Sequence, residues 1–145
     1  MSYQMKFSLL NLIIWLVVAV LFLSVFLTGN TIENWGDNHA KTLILAFLFA
    51  IGYLGQLILR IIFRKRKNVI IRDERDEYFL NKALTSSFVA TLIYVFIVAI
   101  SLYTYYEKSG LIPVAWIWFI AYSLIIVANI FTSGFAIFFY RKGGN

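Results

Sequence analysis

Four uninterrupted apolar stretches, at about 7–28, 42–63, 83–106 and 114–140, occupy most of the chain. Each is close to the ~20 residues that carry an α-helix across ~30 Å of hydrocarbon. Of the 145 residues, 61% are hydrophobic and only 14% charged. A water-soluble domain of this size could not hide so much apolar surface, because small domains keep a large share of their surface in water. The runs lack the period-two alternation of membrane barrel strands, and a single proline leaves them unbroken. The expectation is an all-α integral membrane protein, folded over 1–145 as a single membrane domain. Short connections make sequential helices antiparallel, which predicts an up-down-up-down bundle of four transmembrane helices. The first stretch reads as a retained helix: its apolar core exceeds that of a signal peptide, and no small-x-small cleavage site occurs in Thr28-Gly29-Asn30-Thr31.

Orientation follows from the cations. Of the 13 lysines and arginines, only Lys41 and Lys108 fall in the two short loops at 29–41 and 107–113. The rest lie at the N-terminus, at the C-terminus, or in and just before the middle loop at 64–82. Basic residues stay on the cytoplasmic side, so both termini and the middle loop are expected there, in a cell (inner) membrane. Trp35, Tyr103, Tyr105, Tyr106, Trp116 and Trp118 would mark the outer interface, with Tyr3, Tyr78 and Tyr140 at the inner one. The net charge of +6 therefore belongs to topology and anionic lipid rather than to nucleic acid.

Polar side chains inside a bilayer turn toward protein. Ser8, Asn11 and Trp15 share one helix face, and Gly52 and Gln56 share another with Gly55 beside them. Ser87, Thr91, Tyr94, Ser101 and Tyr105 recur on the third helix at three- and four-residue steps. Tyr122, Asn129, Ser133, Ala136 and Tyr140 do so on the fourth. Asn11, Gln56, Ser86, Ser87, Asn129 and Ser133 all fall in the cytoplasmic half and could form one hydrogen-bonded cluster. Either they are interhelical contacts worth about 0.6 kcal/mol each, or they line a small polar cavity. The absence of charge among them favours contacts. Arg60 lies near the membrane edge, where its head can snorkel to water.

The middle loop has a basic part and an acidic part. Arg64, Lys65, Arg66 and Lys67 form a lipid-facing rim that complements the C-terminal dipole of the second helix and attracts anionic headgroups. Asp73 is an N-cap candidate with Asp76 three residues on, and acidic residues suit the first turn of the third helix. Arg72 and Asp76 stand at a pairing distance along a helix. A divalent-cation site is disfavoured, because Asp73, Glu74, Asp76 and Glu77 fan out over a wide arc of one turn. Protein docking suits the segment better. Asp73, Glu74, Arg75, Asp76, Glu77, Tyr78 and Lys82 form the candidate surface, and Arg and Tyr are among the side chains that carry interface energy.

Asp73-Glu74-Arg75 followed by Lys82-Ala83 resembles the D-E-R-(x)6-K-A signature of small prokaryotic four-span membrane proteins of unknown function. There too the motif stands at the cytoplasmic start of a transmembrane helix. The likeness covers these residues and the four-span plan, with Phe79 departing from an expected aliphatic position. It implies a role in sensing or regulation beside small helix-turn-helix repressors, and it brings no ligand or activity.

Catalysis finds little support. Without cysteine there is no thiolate nucleophile or thiolate metal site. The only histidine, His39, sits in a short outer loop beside Asp37, and no phosphate loop, nucleophile elbow or zinc-protease motif occurs. No cofactor or metal is expected. The favoured function is a non-enzymatic accessory or regulatory membrane protein that presents 72–82 to a cytoplasmic protein partner. Two alternatives stand beside it. One is a small-molecule or ion carrier working as a homo-oligomer through the inner polar cluster; the other is a bacteriocin-type immunity protein.

Overall fold

A computed structural model describes residues 3–28, 39–65 and 74–143. They form four helices: α1 Tyr3–Leu27, α2 His39–Lys65, α3 Glu74–Tyr106 and α4 Ala115–Lys142. No strand occurs among the described residues. All four helices are long and apolar enough to cross a membrane. Their most apolar 18-residue windows bury only between 17% (α3) and 28% (α1) of their residues inside the protein. Leucine, isoleucine, valine and phenylalanine cover the remaining faces, as a lipid solvent requires.

Apolarity does not select the buried face of α1, since the helix is apolar almost all round. The spacing of its bulky and polar residues does. Ser8, Asn11, Trp15, Val18, Phe22 and Phe26 are all buried, at the alternating three- and four-residue steps that keep one seam facing its neighbours. Trp15 meets Phe49 and Tyr53 of α2 edge-on, at 6.3 and 5.4 Å between ring centroids. Phe22 and Phe26 meet Phe119 of α4 with tilted rings, at 5.6 and 4.8 Å between centroids. A Cβ on Gly52 would lie 3.4 Å from both Trp15 and Val18, so where α2 lies on the indole there is room for a methyl and little more. Beyond the last turn of α1, the Lys41 ammonium of α2 donates to the Thr28 carbonyl at 2.7 Å, a cation at a helix C-terminus.

α3 packs on α4 through a ridge of small residues. Ala83, Ser87 and Thr91 are buried at four-residue steps, which brings the two backbones close. At the far end of this pair the Trp116 indole donates to the Tyr106 hydroxyl at 2.8 Å. The paired residues run in opposite order along each couple, so α1 is antiparallel to α2 and to α4, and α3 to α4.

The arrangement differs from a closed up-down-up-down bundle in one respect. α1 and α4 form the centre, α2 lies against α1, and α3 lies against α4; α2 and α3 barely touch. A second difference concerns the middle segment: 74–82, counted in the loop by hydropathy, belongs to α3, which starts at Glu74 as the acidic first turn and the N-cap candidate Asp73 suggest. The helix has 33 residues, about 50 Å at 1.5 Å per residue, well beyond the ~30 Å of a hydrocarbon core.

Candidate functional site

The first turns of α1 and α3 meet the last turns of α2 and α4 at one end of the bundle, which carries most of the chain's cations. Two features are built there. One is a cavity of about 600 Å³ whose floor is α1 and α4 and whose sides are α2 and α3. Asn11, Gln56, Asn129 and Ser133 of the expected polar cluster all line it. Ser87 is buried close by, in the α3–α4 contact.

The hydrogen bonds are pairs rather than one network. The Asn11 amide donates to the Ser133 hydroxyl at 2.8 Å, joining α1 to α4. The hydroxyls of Thr132 and Ser87 meet at 2.9 Å, joining α4 to α3. Asn129 donates instead to the Ile125 carbonyl of its own helix at 2.9 Å. Gln56 lines the cavity without a hydrogen bond to any described residue. Asn11 is 5% exposed, and its Oδ1 receives no hydrogen bond from the protein. Elsewhere, hydroxyls facing outward bond back to their own helices, as Ser101 does to Ile97 at 2.8 Å and Thr104 to Ile100 at 2.9 Å. Such a bond satisfies a lipid-facing hydroxyl without any partner helix. In the cavity region, by contrast, polar side chains reach between helices or keep an open acceptor.

Sequence reasoning missed Thr132 and underrated Arg60. Thr132 precedes Ser133 and so points toward α3 rather than α1, a difference of one helical step of about 100°. Arg60, one turn beyond Gln56 on the same face, stands in the cavity wall. That spacing was the available signal.

The second feature is an aromatic clamp that ties the charged start of α3 to the end of α4. The Tyr140 hydroxyl donates to the Asp76 carbonyl at 3.2 Å, and the Phe79 and Tyr140 rings meet at 5.4 Å. The Arg75 guanidinium lies 5.5 Å from the Phe79 ring centroid. The Lys82 ammonium lies 5.1 Å from that of Phe139 and 5.7 Å from that of Tyr78. These are distances at which ring faces attract cations. A Cβ on Gly143 would collide with the Phe79 ring. Of the expected docking residues, Glu74, Arg75, Glu77, Tyr78 and Lys82 are exposed and Asp76 is half-buried. Asp73, Arg66 and Lys67 lie outside the described residues, as do Arg72, Asp37 and Trp35. For Arg64, Lys65, His39 and Tyr3 the backbone is described and the side chain is not.

Among the described residues no group of three or more histidines and carboxylates stands close enough to hold a metal ion. Comparison with protein-family models, curated proteins and solved structures returns no match. The likeness to the D-E-R-(x)6-K-A proteins thus rests on the quoted residues and the four-helix plan. Within that motif Arg75 and Lys82 lie on aromatic rings, and Ala83, with no exposed surface, seats α3 on α4.

Proposed function

We propose that the protein crosses a cell membrane four times with both ends and the α2–α3 connection on the cytoplasmic side. It acts there as a non-enzymatic accessory or regulatory protein, offering 72–82 to a cytoplasmic protein partner. The observation that supports this reading most is the clamp. Glu74, Arg75, Glu77 and Tyr78 are exposed on a helix pinned to α4 by Tyr140 and Phe79. A charged segment held in one conformation loses less entropy on binding than a loose loop does. The carrier alternative has a cavity in its favour, but among the described residues no carboxylate stands in its wall, where ion-coupled transporters place ionisable groups.

The test is a tagged pull-down from mild detergent, comparing wild type with a variant in which Asp73, Glu74, Asp76 and Glu77 are changed to Lys. A partner protein should be recovered with wild type and lost with the variant at equal membrane levels. Equal recovery with both would refute docking through this segment.

A further inference from the structure

The gap between α2 and α3 and the cavity behind it have a chemistry of their own. The Phe7 and Phe63 rings close the α1–α2 side edge-to-face at 5.7 Å, and the α3–α4 side is packed shut by Ala83 and Ser87. α2 and α3 barely touch, so the side of the cavity between them is left unpacked. Apolar side chains flank this opening, namely Phe63 on α2 and Leu80 and Leu84 on α3. The rest of the wall is largely polar, from exposed Arg60 to buried Asn11 and Ser133. Among the described residues Arg60 is the one cation lining the cavity, no carboxylate lines it, and none pairs with Arg60. Gln56 offers an amide one turn away, and buried Asn11 has an Oδ1 still able to accept a hydrogen bond.

We infer that this cavity binds the headgroup of an anionic glycerophospholipid, admitted sideways between α2 and α3. A phosphodiester supplies acceptor oxygens for the Arg60 fork and the Gln56 amide. A headgroup hydroxyl, as in phosphatidylglycerol, supplies the donor that Asn11 Oδ1 lacks. The acyl chains leave through the apolar gap into the surrounding bilayer. The volume suits a small polar ligand. Free phosphate shares the anionic chemistry but has no chains to cover Phe63, Leu80 and Leu84. The inference rests on the membrane-spanning reading above and not on the docking partner.

The full chain, purified from nanodiscs of equal phosphatidylglycerol and phosphatidylcholine, is weighed by native mass spectrometry. Wild type should retain phosphatidylglycerol preferentially. Arg60→Gln should lower that retention about tenfold, the scale of one charge-assisted hydrogen bond. Arg141→Gln removes the same charge from outside the cavity and should leave retention unchanged. Leu84→Trp fills the opening without altering charge and should also reduce it, which covers the case of an unstable Arg60 variant. Equal losses for Arg60→Gln and Arg141→Gln would mean only a diffuse basic surface and would overturn the site. Displacement of the lipid by inorganic phosphate would overturn the lipid as its occupant. A wild type that carries no phosphatidylglycerol would overturn the site, whereas a chain that fails to enter nanodiscs at all would overturn the membrane reading.

Discussion

Trp15 has no exposed surface, and its indole N–H has no hydrogen-bond partner, so its place is held by packing alone. Asn11, one turn earlier, is held by a hydrogen bond. The two allow the stabilising terms to be separated. Trp15→Ala should cost about 3–5 kcal/mol, the range for emptying a large aromatic site. Asn11→Leu should cost about 1 kcal/mol or less, since polar contacts inside membranes average about 0.6 kcal/mol. Reversible unfolding in micelles measures both, and the opposite ranking would make hydrogen bonding the main glue. Gly52→Ala should be tolerated, because its Cβ finds ordinary contact distances. Gly52→Leu should destabilise by about 1–3 kcal/mol through overpacking. The shared face of Ser8, Asn11 and Trp15 was legible from spacing alone, and so was the company of Gly52 and Gln56. The pairing of Thr132 with Ser87 was not, because helix periodicity fixes which residues share a face and leaves open which helix that face meets.

Hydropathy places the start of the third helix at 83, because the preceding residues are charged and a span is recognised by its apolar run. α3 in fact starts at Glu74. Its acidic first turn offsets the positive end of the helix dipole, a cue present in the sequence that favours a helix start there. What spacing could not supply is the clamp, since Asp76 and Tyr140 are 64 residues apart. Gly143 gives a direct probe of it. Gly143→Ala places a methyl group against the Phe79 ring and should raise amide hydrogen exchange in 74–82. Adding Phe79→Ala should largely cancel that increment, as neighbouring substitutions are coupled rather than additive. Independent, additive effects would mean that the two residues do not meet.

Across the whole molecule, the bundle is asymmetric. At one end the aromatic rings of α1, α2 and α4 fill the interior, with Phe22, Phe26, Phe49, Phe119 and Tyr122 in mutual contact. At the other end lie the cavity, the clamp and most of the cations. Four helices were legible from composition and run length, whereas the parting of α2 from α3 was not, because both present lipid-compatible faces whether packed or apart. The chain has no cysteine, so introduced pairs report cleanly. Phe7→Cys with Phe63→Cys, where the rings meet at 5.7 Å between centroids, should cross-link with a short bifunctional reagent across the α1–α2 contact. Arg60→Cys with Leu84→Cys spans the open side and should react only with a long bifunctional reagent. A ready disulfide there would close the gap on which the cavity depends.

The central claim is that the end bearing the cavity and the clamp faces the cytoplasm. Single cysteines at Ser2, Asn68 and Asn145 on one side, and at Asp37 and Ser109 on the other, test it most directly. With a membrane-impermeant maleimide applied to intact cells, Asp37→Cys and Ser109→Cys should label, and the other three should label only after the membrane is opened. Labelling of Asn68→Cys in intact cells would contradict the account.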